Sequence, residues 1–327
     1  FIMAFTRRSI QIAGVCALSA WIVPAMAQST ANWPDKPISF VTPYPPGGSS
    51  DIITRFVADR VSKLMGNKTI IVENKPGAAA TLGTEYAARA APDGYTFFVT
   101  PMATLTIAPW LRKLNYSVDS FVPVAKIASS YGLITAQKNA PFSNYKEFVA
   151  AAKANPGKYS FATNGVGSVV HLTAVLLHKQ AGIDVLHVPY KGASESMNDL
   201  IGGRVTLMYD PATAPRVKEG TLKGLATTSS IRNPELPNLP TLKEQGFAIP
   251  YSGSWFGIFA PKGTPGEIVN KMAGFVKQAL ESPGVREQLQ HSALYPDFEG
   301  PADFGKQVRA DAEILREVIQ KEGIKLE

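Results

Sequence analysis

Residues 41–52 read VTPYPPGGSSDI, and this stretch decides the fold because it joins three kinds of local structure. An apolar run ends in a turn rich in proline and glycine, and the turn opens into a helical pattern. A strand followed by a glycine loop and a helix commonly binds an anion, since backbone N–H groups converge where the helix dipole is positive. The anion could be a nucleotide phosphate or a substrate carboxylate, and the loop could also be an ordinary βα turn.

The residues after this turn predict an amphipathic helix. Apolar side chains recur at helical spacing within 52–64, and Gly66 provides a stop. Ser49 or Ser50 is expected to cap the helix. Asp51 falls in its first turn, where a carboxylate interacts favourably with the helix dipole.

Short β-rich runs alternate with helical patterns along nearly the whole chain, which predicts an α/β architecture with parallel strands. A second strand ends in a glycine loop before a helix at 169–180, so the chain builds the same junction twice. Two such loops on facing lobes would form a cleft with positive helix termini on both walls. The last two helices are expected to pack back on the first lobe. The predicted strands are ISFVTP, TIIVEN, YTFFVT, KYSFAT, VLHVPY, RVTLMY and WFGIFAP.

Residues 1–27 have the pattern of a cleavable secretory signal. Arg7 and Arg8 form a positive region, an apolar run follows, and the small residues AMA offer a cleavage site after Ala27. The apolar run is shorter than the 18 or so residues that a membrane anchor needs. The paired arginines leave both the general and the twin-arginine export routes open. The mature chain is therefore expected to begin at Gln28 and to reside in the periplasm.

The composition restricts the possible classes of partner and chemistry. The 327 residues carry a net charge of +7, which falls to +5 when Arg7 and Arg8 leave with the signal. Lysines and arginines are spread along the chain rather than clustered with aromatic residues, so no nucleic-acid partner is expected. A mild positive field favours the collection of small anions. The only cysteine, Cys16, lies in the signal, which excludes thiolate catalysis and thiolate metal sites from the mature chain.

Motifs for enzyme chemistry are weak. The glycine loops match neither the phosphate-loop pattern nor the dinucleotide fingerprint, so no cofactor is expected. The sequence has no G-x-S-x-G elbow, the motif that marks the nucleophile of many serine hydrolases. The alternative hypothesis from the enzyme class is nevertheless a secreted serine hydrolase that uses Ser168 or Ser254 with His171. His171 and His178 lack the i,i+4 spacing of a metal pair, so no metal is expected either. His171 follows the second loop by one turn and is expected to brace it by hydrogen bonds.

Both loops are suited to binding an anion without catalysing a reaction. The first loop offers backbone and hydroxyl donors at Gly47, Gly48, Ser49 and Ser50, and the second offers them at 164–168. A carboxylate that accepts several such hydrogen bonds needs no lysine or arginine. One loop alone would be taken for an ordinary turn, whereas two matched loops in a secreted protein favour binding.

Several long motifs carry a family resemblance because they occur in a fixed order. They are PISFVTPYPPGGSSDIITRFVA, IIVENKPGAAATLGTEYAARAAPDGYT, NGVGSVVHL, HVPYKGASESMNDLIGGRV, and LPNLPTLKEQGF followed by SWFGIFAPKGTP. From about residue 33 to the C-terminus, the chain resembles the Bug or TctC family, the solute-binding receptors of tripartite tricarboxylate transporters. The resemblance implies a two-lobed periplasmic binding protein of type II, each lobe a mostly parallel sheet flanked by helices.

The resemblance also implies the lobes and the site. The first lobe would comprise 33–133 and 254–327, and the second 134–253. Both loops would clamp a small carboxylate, and His171 and Tyr190 would support them. The implied ligand-binding residues are Tyr44, Pro46, Gly47, Gly48, Ser49, Asp51, Thr100, Met102, Ala103, Thr163, Asn164, Gly165, Val166, Gly167, Ser168 and Asp210.

Individual residues bear on ligand selectivity and leave the ligand open between dicarboxylates or tricarboxylates, aromatic acids and amino acids. Asp51 would act indirectly by capping its helix. Asp210 would either meet a ligand ammonium group or cap a helix before Pro211. Tyr44 stands where the family often has phenylalanine, and Val175 replaces a frequent glutamate. The implied partners are membrane permease subunits acting with a monomeric receptor, and a sensor partner without a permease is the alternative.

Overall fold

The computed structural model describes residues 32–163, 165–190, 193–249, 251, 254–290 and 292–325. The expected signal sequence and Asn164 lie outside the described residues. Within these ranges, no helix is both long and apolar enough to cross a membrane. The strands are β1 (Ile38–Thr42), β2 (Ile70–Asn74), β3 (Thr96–Pro101), β4 (Phe121–Ser130), β5 (Leu133–Gln137), β6 (Ser160–Thr163), β7 (Leu186–Pro189), β8 (Leu207–Tyr209), β9 (Leu222–Thr227), β10 (Trp255–Pro261) and β11 (Leu294–Glu299). The helices are α1 (Ser49–Leu64), α2 (Thr81–Ala88), α3 (Ala103–Thr106), α4 (Ala108–Leu111), α5 (Tyr145–Ala154), α6 (Val169–Ala181), α7 (Ala193–Ile201), α8 (Ala214–Lys218), α9 (Gly266–Glu281), α10 (Val285–Gln290) and α11 (Pro301–Lys321).

Six strands form the first sheet in the order β11-β4-β10-β3-β1-β2. β1 runs parallel to β2 and β3, whereas β10 is antiparallel to β3 and β4, and β11 is antiparallel to β4. Successive residues of a strand face opposite layers. Phe40 and Phe97 therefore pack in the core that includes α1 and α9, while Val41 and Phe98 pack in the core that includes α11.

Five strands form the second sheet in the order β7-β6-β8-β5-β9. β6 runs parallel to β7 and β8, and β5 is antiparallel to β8 and β9. Its main core contains the aromatic residues Phe142, Phe148, Tyr159 and Phe161 together with Leu177 of α6. Each sheet therefore has a core of its own, as expected for a two-lobed protein.

The predicted α/β class is confirmed, and all seven predicted strands are present. Both sheets are mixed, because β4, β5, β9 and β11 lie outside the predicted strands and supply most of the antiparallel pairs. β4 is buried over most of its length. A strand buried on both faces shows no alternation of apolar and polar residues, so its pattern does not mark it clearly.

Two chain crossovers connect the sheets and lie side by side. The first runs from β4 to β5 through Tyr131 and Gly132, and the second returns from β9 to β10. The Thr228 N–H donates to the Gly132 carbonyl at 2.8 Å, and the Ser130 N–H donates to the Ser254 carbonyl at 3.1 Å. The final helix, α11, packs against β4 and α3 of the first lobe, in agreement with the expectation, and also contacts α6.

Candidate functional site

A cavity of about 980 Å³ lies between the two sheets. The first-lobe wall comes from the loop after β1 and from α3 and α4, and the second-lobe wall comes from the loop before α6, from α6 itself and from the turn after β8. Crossover residues Ser130, Gly132 and Thr228 also line it. The two glycine loops recognised in the sequence therefore reach one cavity from opposite lobes.

A buried carboxylate holds the first loop. Asp51, which is 4% exposed, accepts hydrogen bonds from the Gly47 N–H at 3.0 Å, from Arg55 Nε at 2.9 Å and from Asn74 Nδ2 at 2.8 Å. Asn74 also donates to the Tyr44 carbonyl at 3.0 Å. Burial alone would raise the pKa of the Asp51 carboxyl, but the donors from Arg55, Gly47 and Asn74 outweigh it and lower that pKa. Asp51 thus acts behind the site, as the resemblance implies.

The start of α1 differs from the expected cap. Gly48 occupies the N-cap position with no side-chain hydrogen bond, so the prediction that Ser49 or Ser50 caps the helix is wrong. Asp51, in the first turn, accepts the N–H of Gly47 just before the N-cap, and Ser49 lines the cavity. Gly47 has φ of +89°, a left-handed conformation that favours glycine.

A series of hydroxyl groups links the first loop to α3. The Tyr44 hydroxyl lies 3.4 Å from Thr104 Oγ1, which accepts from Thr100 Oγ1 at 2.8 Å. Burial raises the pKa of Tyr44, so its phenol keeps its proton as a donor at neutral pH. Tyr44, Ala103 and Thr104 line the cavity, while Thr100 and Met102 are fully buried behind it.

The first turn of α6 locks the second loop. Ser168 is the N-cap: its hydroxyl accepts from the His171 N–H at 3.2 Å and donates to the Gly165 carbonyl at 2.8 Å. The Gly167 N–H donates to His171 Nδ1 at 3.1 Å, so His171 contacts the loop in the way expected of a brace. Gly165 and Gly167 have φ of +119° and +75°, which favours glycine at both positions.

A pair of stacked histidines supports this loop from behind. The His171 and His187 rings stack with centroids 4.1 Å apart, and His187 Nε2 lies 2.7 Å from Thr163 Oγ1. Burial, with a smaller contribution from His187, lowers the pKa of His171 to about 4. His171 is therefore neutral at neutral pH, as an Nδ1 acceptor must be. Tyr190 adds a backbone hydrogen bond from its N–H to the Thr163 carbonyl at 2.9 Å.

Asp210 both caps a turn and lines the cavity. It is 7% exposed, and its side chain accepts from the Ala212 N–H at 2.8 Å at the start of the short 3₁₀ turn Pro211–Thr213. Burial raises the pKa of its carboxyl, and the hydrogen bond from Ala212 opposes this only in part. The capping contact is thus present, and among the described residues no hydrogen bond engages the second carboxylate oxygen.

The predicted site residues divide into a lining set and a supporting set. Pro46, Gly47, Gly48, Asp51, Thr100, Met102, Thr163 and Gly165 stand outside the lining. Met102 belongs to the hydrophobic core of the first lobe, which places its side chain away from any ligand. Asn164 lies outside the described residues. The predicted residues that line the cavity are Tyr44, Ser49, Ala103, Val166, Gly167, Ser168 and Asp210.

Other lining residues gave no usable signal in the sequence. Thr173 of α6 and Tyr251 join their hydroxyls in a short hydrogen bond, although they are far apart in the chain. Lys126 sits in a β-rich run and forms ion pairs with Asp297 at 3.1 Å and with Glu299. Arg112 follows a short helix that the sequence does not mark. Only long-range folding brings these residues to the cavity.

The contacts of the site give no support to hydrolase chemistry. His171 Nδ1 accepts from a backbone N–H, and the Ser168 hydroxyl bonds to backbone groups. In the described ranges, no hydrogen bond joins the Ser168 or Ser254 hydroxyl to a ring nitrogen of His171. A nucleophilic serine needs such a base within hydrogen-bond reach. Among the residues with described positions, no cluster of histidine, cysteine or acidic side chains could hold a metal ion.

Two sheets with separate cores, joined by paired crossovers around a cleft with donor loops on both walls, define a two-lobed solute-binding protein. The chain belongs to the tripartite tricarboxylate transporter family receptors, whose family model matches residues 53–324. It is 36% identical over 323 residues to a UPF0065 protein in the gbd 5′ region of Cupriavidus necator, covering 98% of this chain and 97% of that relative.

Solved structures agree with this membership. The periplasmic binding protein BugD is 34% identical with a TM-score of 0.71, covering 90% of this chain and 100% of that one. Rpa4515 of R. palustris with adipate is 30% identical with a TM-score of 0.73, with the same coverage. MatC of Rhodopseudomonas palustris with bound malate is 31% identical with a TM-score of 0.70, covering 88% of this chain and 99% of that one.

Proposed function

We propose that this receptor captures a small carboxylate between its lobes and delivers it to the membrane subunits of a tripartite tricarboxylate-type transporter. The observation that carries the proposal is the pair of braced loops, one held by Asp51 and one by His171, which face one cavity. Loops of neutral backbone and hydroxyl donors suit a carboxylate. The malate and adipate of two related structures support the same ligand class.

The ligand would contact the lining set of both loops directly. Tyr44 and Ser49 would donate from the first lobe. Gly167 and Ser168 would contact the ligand from the second lobe while they keep their hydrogen bonds to His171 and Gly165, and Asp210 would face the remainder of the ligand. Thr163, His171 and Tyr190 would act by holding the second loop in place. No catalytic step is assigned to any of them.

Capture would proceed by closure of two lobes, 33–133 with 254–327 and 134–253. The change of sheet between β4 and β5, and again between β9 and β10, supports these boundaries to within a residue or two. A ligand that bridges both lobes binds the closed state better than the open state and shifts the population towards it. The receptor would act as a monomer.

The receptor would work in the periplasm after removal of residues 1–27. The signal-like pattern of this segment supports the location. The relation to a protein described as the periplasmic binding protein BugD supports it independently.

A thermal-shift screen against small carboxylates tests the capture directly. The wild-type protein, freed of bound solute by unfolding and refolding, should gain roughly 2.7 kcal/mol of stability at a hundred times the dissociation constant. Ser168→Leu should abolish this gain because the larger side chain fills the donor loop. Retention of the full shift in Ser168→Leu would remove the second loop from the site, and a wild-type protein that responds to no carboxylate would refute the proposal.

Asn144→Leu is the matched control. Asn144 caps α5 through a hydrogen bond from the Glu147 N–H at 2.9 Å and does not line the cavity. Loss of either cap should cost about 1 kcal/mol of stability. Only Ser168→Leu should lose the response to ligand.

A further inference from the structure

The charges that line the cavity are few and mostly paired. Among the described residues, the charged side chains in the lining besides Asp210 are Arg112, Lys126, Asp297 and Glu299. Lys126 is buried between the two carboxylates, with its Nζ 3.1 Å from Asp297 and in contact with Glu299. This group of one cation and two anions repels a further anion. Within the described part of the lining, Arg112 is therefore the cation available to a second negative charge.

Arg112 has most of its hydrogen-bonding capacity left. It follows α4 directly, and its Nη1 donates to the Ala78 carbonyl at 3.3 Å. Within the described ranges, the Arg112 guanidinium forms no ion pair with an aspartate or a glutamate. A guanidinium has five N–H donors in a geometry that matches a carboxylate. The Ala78 contact holds Arg112 at the cavity and leaves donors for a ligand.

An apolar surface separates Arg112 from the hydroxyl groups near the first loop. Ile107, Ala108 and Leu111 line the first-lobe wall between Thr104 and Arg112. The wall consists of two short helices, α3 and α4, and Arg112 follows the second of them. On the second lobe, Val166 within the donor loop and Val169 and Val170 at the start of α6 are also apolar and line the cavity.

We propose that Arg112 determines specificity by pairing with the second carboxylate of a linear dicarboxylate. The donor loops would hold the first carboxylate, and the apolar surface would contact a hydrocarbon chain between the two. This inference rests on the proposed function, because it presupposes that the loops capture a carboxylate. The inference adds that the site prefers a ligand with two terminal negative charges and a hydrocarbon chain without hydroxyl groups.

Isothermal titration with adipate, hexanoate and malate tests the assignment. Adipate and hexanoate have six carbons each and differ by one carboxylate, while malate is a hydroxylated dicarboxylate. The wild-type protein should bind adipate roughly 10- to 100-fold more tightly than hexanoate, the range expected for a charge-assisted hydrogen-bonded pair. It should also prefer adipate to malate. Arg112→Gln should reduce adipate affinity to that of hexanoate and leave hexanoate affinity unchanged.

Two further variants separate specific pairing from other effects. Lys113→Gln removes the same charge from the neighbouring exposed residue, which does not line the cavity, and should leave both affinities unchanged. Arg112→Lys keeps the charge but loses the planar fork, so it should retain part of the preference for adipate. A loss of hexanoate affinity equal to that of adipate in Arg112→Gln would assign the residue to loop support and overturn the proposal.

The affinities of the wild-type protein distinguish failure of the Arg112 assignment from failure of the proposed function. If it binds carboxylates but does not prefer adipate to hexanoate, or prefers malate to adipate, the assignment of Arg112 is overturned and carboxylate capture stands. If it binds none of the carboxylates, the proposed function fails before any variant is considered. An unchanged ratio of adipate to hexanoate affinity in Arg112→Gln also overturns the assignment.

Discussion

At the scale of single residues, the site depends on two side chains that touch backbone rather than ligand. Asp51 accepts the Gly47 N–H on the first lobe, and His171 accepts the Gly167 N–H on the second. Neutral donors bind an anion well only when they already point at it, because ordering a loop at the moment of binding costs free energy. If the loops bind a carboxylate as proposed, we expect the two braces to raise affinity without contacting the ligand.

Asp51→Asn should weaken carboxylate binding and destabilise the fold by about 1–3 kcal/mol. The amide cannot satisfy Gly47, Arg55 and Asn74 together, and a buried group left without a partner carries its desolvation cost. Chemical denaturation and ligand titration measure the two effects. Asp59→Asn on the same helix is the control, because Asp59 is exposed and pairs only with Lys63 at the surface. Equal losses in both variants would contradict a special role for Asp51.

The depressed pKa of His171 predicts a loss of stability in acid. The folded protein takes up this proton only near pH 4, whereas the unfolded chain takes it up near 6.5, so the unfolded state binds more protons between these values. Stability should therefore fall as pH drops from 7 towards 4, by an amount on the order of 1 kcal/mol for this residue at pH 5. His178, with its pKa lowered to about 3 by burial, contributes in the same direction.

His171→Gln isolates the contribution of this residue. Glutamine keeps an acceptor for the Gly167 N–H and does not titrate, so the variant should lose less stability than the wild-type protein between pH 7 and pH 5. Urea denaturation at the two pH values measures the difference. An identical decline in both proteins would show that the proton uptake belongs to other groups.

At the scale of elements, the two strand–loop–helix junctions could be predicted from the sequence because local chemistry determines them. Glycine in left-handed conformations and helical apolar spacing mark the loops before α1 and α6, and both helices occur where these patterns predict. The cap of α1 could not be predicted as reliably. Asp51 accepts the Gly47 N–H directly and also accepts a hydrogen bond from Asn74 of β2. No local sequence pattern identifies Asn74 as a partner of Asp51.

The rest of the site depends on contacts between distant elements. Arg112 follows a four-residue helix, and Tyr251 meets Thr173 from another part of the chain. Such residues look ordinary in sequence, because their role comes from the packing of the lobes. The crossover strands β4 and β5 were not predicted, because burial on both faces removes the alternation of apolar and polar residues that marks a strand.

At the scale of the whole molecule, the proposed closure of the lobes would take place about the two crossovers. Gly132 of the first crossover and Thr228 of the second lie against each other, and the Thr228 N–H donates to the Gly132 carbonyl at 2.8 Å. Both residues also line the cavity. The connection that would permit closure thus adjoins the cavity, so we expect its packing to affect the populations of the open and closed states.

Gly132→Ala should disturb this connection, and Thr228→Ala should restore it. A Cβ on residue 132 would lie 2.1 Å from Thr228 Oγ1, so the Thr228 side chain must rotate or one crossover must shift away from the other. Overpacking of this kind typically costs about 1–3 kcal/mol, and it should also alter the compaction caused by ligand. Denaturant unfolding and small-angle X-ray scattering with and without adipate measure both effects. In the double variant the removed hydroxyl leaves room for the methyl group, so stability and compaction should return towards wild-type values. Additive losses in the double variant would show that Gly132 and Thr228 do not act as one contact.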